Sequence, residues 1–202
     1  MVRRSFPALA FLAVLALAIG CVHRPPVLHR EAPWARYFPP VEGARYTYLV
    51  TEADLDPDQP RNPQEEKPLL VSQVTRVTPE SLTIVTGGRE IIYLVDDRGL
   101  RKQKSGNYLL KTPLVKGSSW PITLDGEAGA ATITDTSHSL TLAGGHFPDC
   151  LVVEERIDGQ PMALVTYYAP DVGVVRIETR VVIDHQDRVL ESADVHTYTI
   201  PR

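Results

Sequence analysis

Past its first forty residues, the chain alternates apolar and polar positions with a period of two. Over residues 45–51, Tyr46, Tyr48 and Val50 alternate with Arg45 and Thr47, the pattern of a strand with one buried face. The same alternation, or a short apolar run bounded by turn residues, recurs at 69–78, 81–86, 89–95, 120–124, 130–135, 139–143, 150–157, 162–169, 174–184 and 189–200. Pro79-Glu80 and Gly87-Gly88 stand at hairpin spacing between such runs, and a tight turn at 184–188 joins the last two. Over 174–184, Val175, Ile177, Thr179, Val181 and Ile183 share one face, and Arg176, Glu178 and Arg180 share the other, which therefore reads as solvated. Nothing repeats convincingly every 3.6 residues, and seventeen prolines would interrupt such a run. The pattern predicts an all-β fold: an antiparallel curved sheet or two packed β-meanders of about 10–12 strands, with helix confined to the first twenty residues.

A weak internal repeat overlies this pattern. Residues 39–46 and 113–120 share a proline (Pro39, Pro113), a glycine four positions on (Gly43, Gly117) and an aromatic three later (Tyr46, Trp120). Proline stops the preceding segment, glycine permits a turn, and the aromatic begins a buried strand face.

The opening of the chain has a different character. Arg3 and Arg4 precede an uncharged apolar run from Phe6 to Ile19, shorter than the ~20 residues that span a bilayer, which marks a cleaved export signal. Leu17-Ala18-Ile19-Gly20-Cys21 resembles the lipobox of bacterial lipoproteins, although leucine is commoner at the position of Ala18. That resemblance implies diacylglyceryl transfer to Cys21, cleavage before it and acylation of the new amine. Val22 rather than aspartate after the cysteine resembles the outer-membrane sorting pattern. The organisation expected is a signal peptide at 1–20, a Pro-rich tether at 21–40 and one β-rich domain at 41–202. Trp34, Tyr37 and Phe38 break the tether and are expected to pack on the domain edge.

Two further stretches resemble segments of uncharacterised bacterial lipoproteins and exported proteins. Gly145-His146-Phe147-Pro148-Asp149-Cys150 resembles a G-x-F-x-x-C strand opening, and Tyr167-Tyr168-Ala169-Pro170-Asp171-Val172-Gly173 resembles a Y-Y-A-P-G-V-G segment with Asp171 in place of a glycine. The resemblance brings no catalytic or binding residues with it. Pro170 and Gly173 are read as structural, and so is Cys150, which opens a strand whose neighbours Leu151, Val152 and Val153 are apolar on both faces.

Composition narrows the function. The formal charge of −4 becomes −6 once Arg3 and Arg4 leave with the signal, a balance ill suited to nucleic acid or an anionic bilayer surface. With Cys21 lipidated, Cys150 has no disulfide partner, and its neighbours Asp149, Glu154 and Glu155 have the wrong sign to favour a thiolate. Asp54, Asp56, Asp58 and Glu65 match positions 1, 3, 5 and 12 of a calcium loop, but Gln59 replaces the required glycine and Pro57, Pro60 and Pro63 stiffen the stretch, which reads better as a solvated hairpin loop. His138, His146, His185 and His196 form no metal-ligand pair, no G-x-S-x-G elbow surrounds Ser118 or Ser119, and no cofactor motif is present. The expectation is a non-enzymatic, membrane-tethered module for interaction with an envelope protein or for envelope assembly. A lipid or hydrophobic-ligand binder is the alternative, and a hydrolase ranks third. A lined apolar cavity would favour the binder, a flat aromatic patch the interaction module, and a Ser/His/Asp cluster the hydrolase.

Two or more acyl chains at ~0.8 kcal/mol per buried methylene hold a protein on a membrane essentially permanently. Cys21→Ser should therefore move the protein out of the membrane fraction or leave it unprocessed. Mass analysis of the mature N-terminus checks this, and an unmodified N-terminus at another residue would sink it.

Overall fold

The computed structural model describes residues 31–53, 67–183 and 186–201. The signal peptide, Cys21 and the calcium-loop candidates Asp54, Asp56, Asp58 and Glu65 lie outside the described residues. The described residues form twelve strands: β1 (Arg45–Glu52), β2 (Leu69–Val77), β3 (Ser81–Thr86), β4 (Arg89–Asp96), β5 (Gly99–Lys102), β6 (Tyr108–Lys111), β7 (Ser119–Leu124), β8 (Glu127–Leu142), β9 (Gly145–Ile157), β10 (Met162–Ala169), β11 (Gly173–Ile183) and β12 (Gln186–Thr199). Every pairing is antiparallel, and the strand order is β6-β5-β4-β3-β2-β1-β12-β11-β10-β9-β8-β7. The all-β expectation holds. Its two meanders, β1–β6 and β7–β12, share one sheet instead of packing as two.

Each meander opens on the same turn. Gly43 and Gly117 adopt φ of 84° and 88°, conformations that side chains resist. Ala44 N–H donates to Val41 O at 3.1 Å, and Ser118 N–H to Val115 O at 3.0 Å. Gly43 N–H then donates to Val74 O on β2, and Gly117 N–H to Ile133 O on β8, both at 2.8 Å. Tyr46 and Trp120, three residues past each glycine, are both buried.

The outer strands β6 and β7 form no ladder, yet side chains bring their edges together. The Asn107 amide donates to Thr123 O at 2.7 Å and accepts from Thr123 N–H at 3.0 Å, as a strand backbone would. Trp120 Nε1 donates to Tyr108 O at 3.0 Å. The sheet is thereby rolled into a nearly closed barrel.

One end of the barrel is filled. A 3-10 turn, Pro33–Arg36, places Trp34 in the core at 1% exposure, so the last part of the segment expected as a tether belongs to the domain and carries a short helical turn of its own. Asp171 N–H donates to Arg36 O at 2.6 Å, and the Phe38 ring tilts against Tyr93 at 5.9 Å. Bulges between Ile133 and Leu140 bend the long β8–β9 hairpin, and Gly144 at its tip donates to Val195 O on β12 at 3.1 Å. A Cβ on Gly144 would lie 2.9 Å from that oxygen. The Tyr46 and Tyr48 hydroxyls tie β1 to the start of β11 and the turn before it, donating to Val172 O at 2.8 Å and Val174 O at 3.0 Å.

One charged face is not solvated as expected. Glu178 is only 5% exposed. Arg180 donates to its Oε2 from Nε at 2.9 Å and from Nη2 at 2.5 Å, Tyr167 Oη donates to the same oxygen at 3.1 Å, and Arg176 Nη1 lies 3.4 Å from Oε1. A carboxylate with this many donors can leave water without being stranded.

Trp34 fills space that the strands cannot reach, so Trp34→Ala should cost about 3–5 kcal/mol of stability. The expected signature is a lower urea midpoint at unchanged m, and an unshifted midpoint would mean that the 3-10 turn is only loosely docked.

Candidate functional site

Residues directly opposite in an antiparallel ladder share a face, so the barrel interior can be followed from strand to strand. Ile84 faces Ile91, Tyr93 faces Lys102, Ile122 faces Gly129, and Gly129 faces Ile157. Two positions deeper on β9, Glu155 stands opposite both Ala131 and Leu164, and Leu164 stands opposite Thr179. At the end away from Trp34, Ile91, Lys102, Ile122, Glu155, Ile157, Leu164 and Thr179 of this face line an open cavity of about 800 Å³. Its accessible wall is mostly apolar, supplied by Ile91, Ile122, Leu124, Ile157, Met162 and Leu164, and is interrupted by polar residues such as Gln103, Asn107, Gln160 and Thr179. The volume lies within the range of small-molecule sites.

Two charged side chains sit on the interior face. Lys102, opposite Tyr93, is one ladder pair deeper on that face than Ile91, and Glu155 is deeper than Ile157. Both line the cavity, and neither side chain makes a hydrogen bond or ion pair with a described residue. Burial raises the Glu155 carboxyl above the ordinary range, and the Lys102 charge pulls it back down. Beneath them lie Tyr93, raised to about 12 by burial and then by Glu155, and Tyr168, whose buried hydroxyl has no hydrogen-bond partner among the described residues. The other charged lining residues, Glu90, Lys104 and Asp125, are exposed at the rim. Leu124 and Met162, on the lip, are among the large apolar side chains left in solvent.

The residues singled out from the sequence gather at the opposite end. Arg36, Phe147, Asp149, Pro170 and Val172 border a smaller hollow of about 260 Å³, so the Gly145–Cys150 and Tyr167–Gly173 stretches meet beside the Trp34 plug. Asp171 takes φ 60°, the left-handed conformation for which glycine is usual. A Cβ on Gly173, itself at φ 109°, would come within 3.3 Å of the Tyr46 hydroxyl. Cys150 is 0% exposed, and its thiol donates to Phe147 O at 3.4 Å. Burial, then the Asp149 charge, pushes the thiol pKa up to about 11. His138, not His146, stands opposite Cys150 in the ladder, with Nδ1 3.7 Å from Asp135 and its ring packed 5.3 Å from Tyr167. His146 bonds Thr141 instead, at 3.0 Å. Among the described residues, no group of three or more His, Cys, Asp or Glu could hold a metal ion.

No family profile and no curated protein sequence matches the chain. Among solved structures, the chain is similar to a protein described as exported and YmcC-like in fold from Bacteroides fragilis NCTC 9343, at 14% identity and a TM-score of 0.48, over 81% of this chain and 98% of that one. It is similar also to a protein described as a lipoprotein from Parabacteroides distasonis ATCC 8503, at 14% identity and a TM-score of 0.47, with the same coverage.

The raised thiol and phenols fix how stability falls in alkali. The Cys150 thiol ionises near 9.0 when freed and near 11 in place, so above pH 9 only the unfolded state loses the proton and stability declines toward pH 11. Tyr46, Tyr93 and Tyr167, moved from 10.0 to about 12, add a second decline between those values. Urea midpoints from pH 8 upward should show both, and Cys150→Ala should remove the first while costing about 1 kcal/mol at neutral pH. Rapid thiol labelling of the folded protein at pH 7 would contradict this account.

Proposed function

We propose that this protein is a lipid-anchored, non-catalytic binder of a hydrophobic or amphipathic ligand, which it holds in the open mouth of the barrel. The observation that carries the reading is the cavity of about 800 Å³, whose accessible wall is mostly apolar. Of the three functions considered from the sequence, a lined apolar cavity favours the binder. An open curved sheet leaves its groove uncovered unless helices close it, and none was expected from the sequence. Here the sheet nearly closes on itself, its outer strands joined through Asn107 and Trp120, so a curved wall forms without them.

The non-catalytic part of the reading rests on the chemistry of the candidates. The Cys150 hydrogen bond runs to a backbone carbonyl rather than to His138, and burial keeps the thiol protonated at neutral pH. The anchor is assigned to Cys21 and the location to the cell envelope, on the outer membrane, from the residues around the cysteine. The mouth opens at the end of the barrel away from the Pro33–Arg36 turn.

Leu164 projects into the cavity from β10, and a tryptophan there would occupy ligand space without touching the filled end. Leu164→Trp should weaken binding of an environment-sensitive fatty-chain probe by at least about tenfold, a loss of ~1.4 kcal/mol, with an unchanged strand-type circular dichroism spectrum. Undiminished probe binding by the folded variant would place the ligand elsewhere and remove the basis of this function.

A further inference from the structure

We propose that the ligand of the mouth is a single-chain amphiphile that enters polar end first and sets a neutral hydroxyl or amide group between Lys102 and Glu155. The inference rests on the binding function just described and specifies its ligand. Apolar walls alone would take any hydrocarbon. Two opposite charges below the lip make the cavity selective.

Lys102 and Glu155 reach the interior from β5 and β9, and no ion pair joins them. A cationic donor and an anionic acceptor placed apart in an apolar chamber call for a group that offers an acceptor to one and a donor to the other. A hydroxyl or a primary amide does both. Charge balance separates these groups from a carboxylate. The paired charges sum to zero, whereas a ligand carboxylate would add an uncompensated negative charge beside the half-buried Glu155. The hydrocarbon tail then lies along Ile91, Ile122, Ile157 and Leu164 toward the lip, where Leu124 and Met162 extend the apolar surface outward.

The full-length protein, purified from membranes, would be titrated at neutral pH with a fatty alcohol, a primary fatty amide and a fatty acid of one chain length, each displacing the fluorescent fatty-chain probe. The alcohol and the amide should bind about tenfold tighter than the acid. In Glu155→Gln the lysine is left as an unbalanced cation, and the order should reverse in favour of the acid. In Lys102→Met the acid should weaken further, since only the carboxylate remains to meet it. If all three ligands bind equally to the wild type and both variants while Leu164→Trp still blocks them, the polar end sits at the rim: this inference fails and the binding function stands. If no chain binds the wild type, both fall together.

Discussion

The width of a twelve-stranded barrel governs most of what is distinctive in this molecule. Eight strands enclose a space that wall side chains can just fill, and the diameter grows with every strand added. With twelve, inward-facing tyrosines, leucines and valines do not meet across the middle unless something else occupies it. At one end that role falls to Trp34, Phe38 and the bent β8–β9 hairpin, none of which belongs to the regular wall. At the other end nothing described enters, and the unfilled width is the cavity. Core and candidate site thus share one origin and differ in whether the chain supplied the filling.

Closure solves a second problem. An open sheet would leave the backbone donors and acceptors of β6 and β7 as templates for other chains. The seam is made by an asparagine amide that stands in for a strand and by an indole N–H, and no further ladder is required. Because each meander begins with the same glycine turn, the two halves meet the barrel end in equivalent ways. On the outer face, the Arg176–Glu178–Arg180 cluster with Tyr167 packs charged residues into a position that an apolar side chain would otherwise hold.

The strand architecture was legible because half-buried strands write a period of two that survives without an alignment. β5 and β6 escaped notice: each is four residues long, and the polar turn between them, residues 103–107, hides the alternation. β8 read as two strands because Asp135-Thr136-Ser137 looks like a break, whereas bulges carry the ladder through it. The face of Glu178 read as solvated because sequence spacing cannot reveal that two arginines and a tyrosine converge on one carboxylate. The cavity was less legible still, since it depends on strand number and curvature. One signal was present. Glu155 shares a face with Val153 and Ile157, and a charge on an otherwise apolar stripe marks an interior polar site.

The ladder between β1 and β12 pairs Tyr46 with Tyr198 and Glu52 with Glu191, joining the first strand of the sheet to the last. Contacts so distant along the chain are the slowest to form, and until they do each meander exposes a raw edge. The cavity is divided in the same way, with Ile91 and Lys102 on the first meander and Glu155, Leu164 and Thr179 on the second. The chamber therefore exists only where the two meanders meet, and neither half of the chain encloses one by itself.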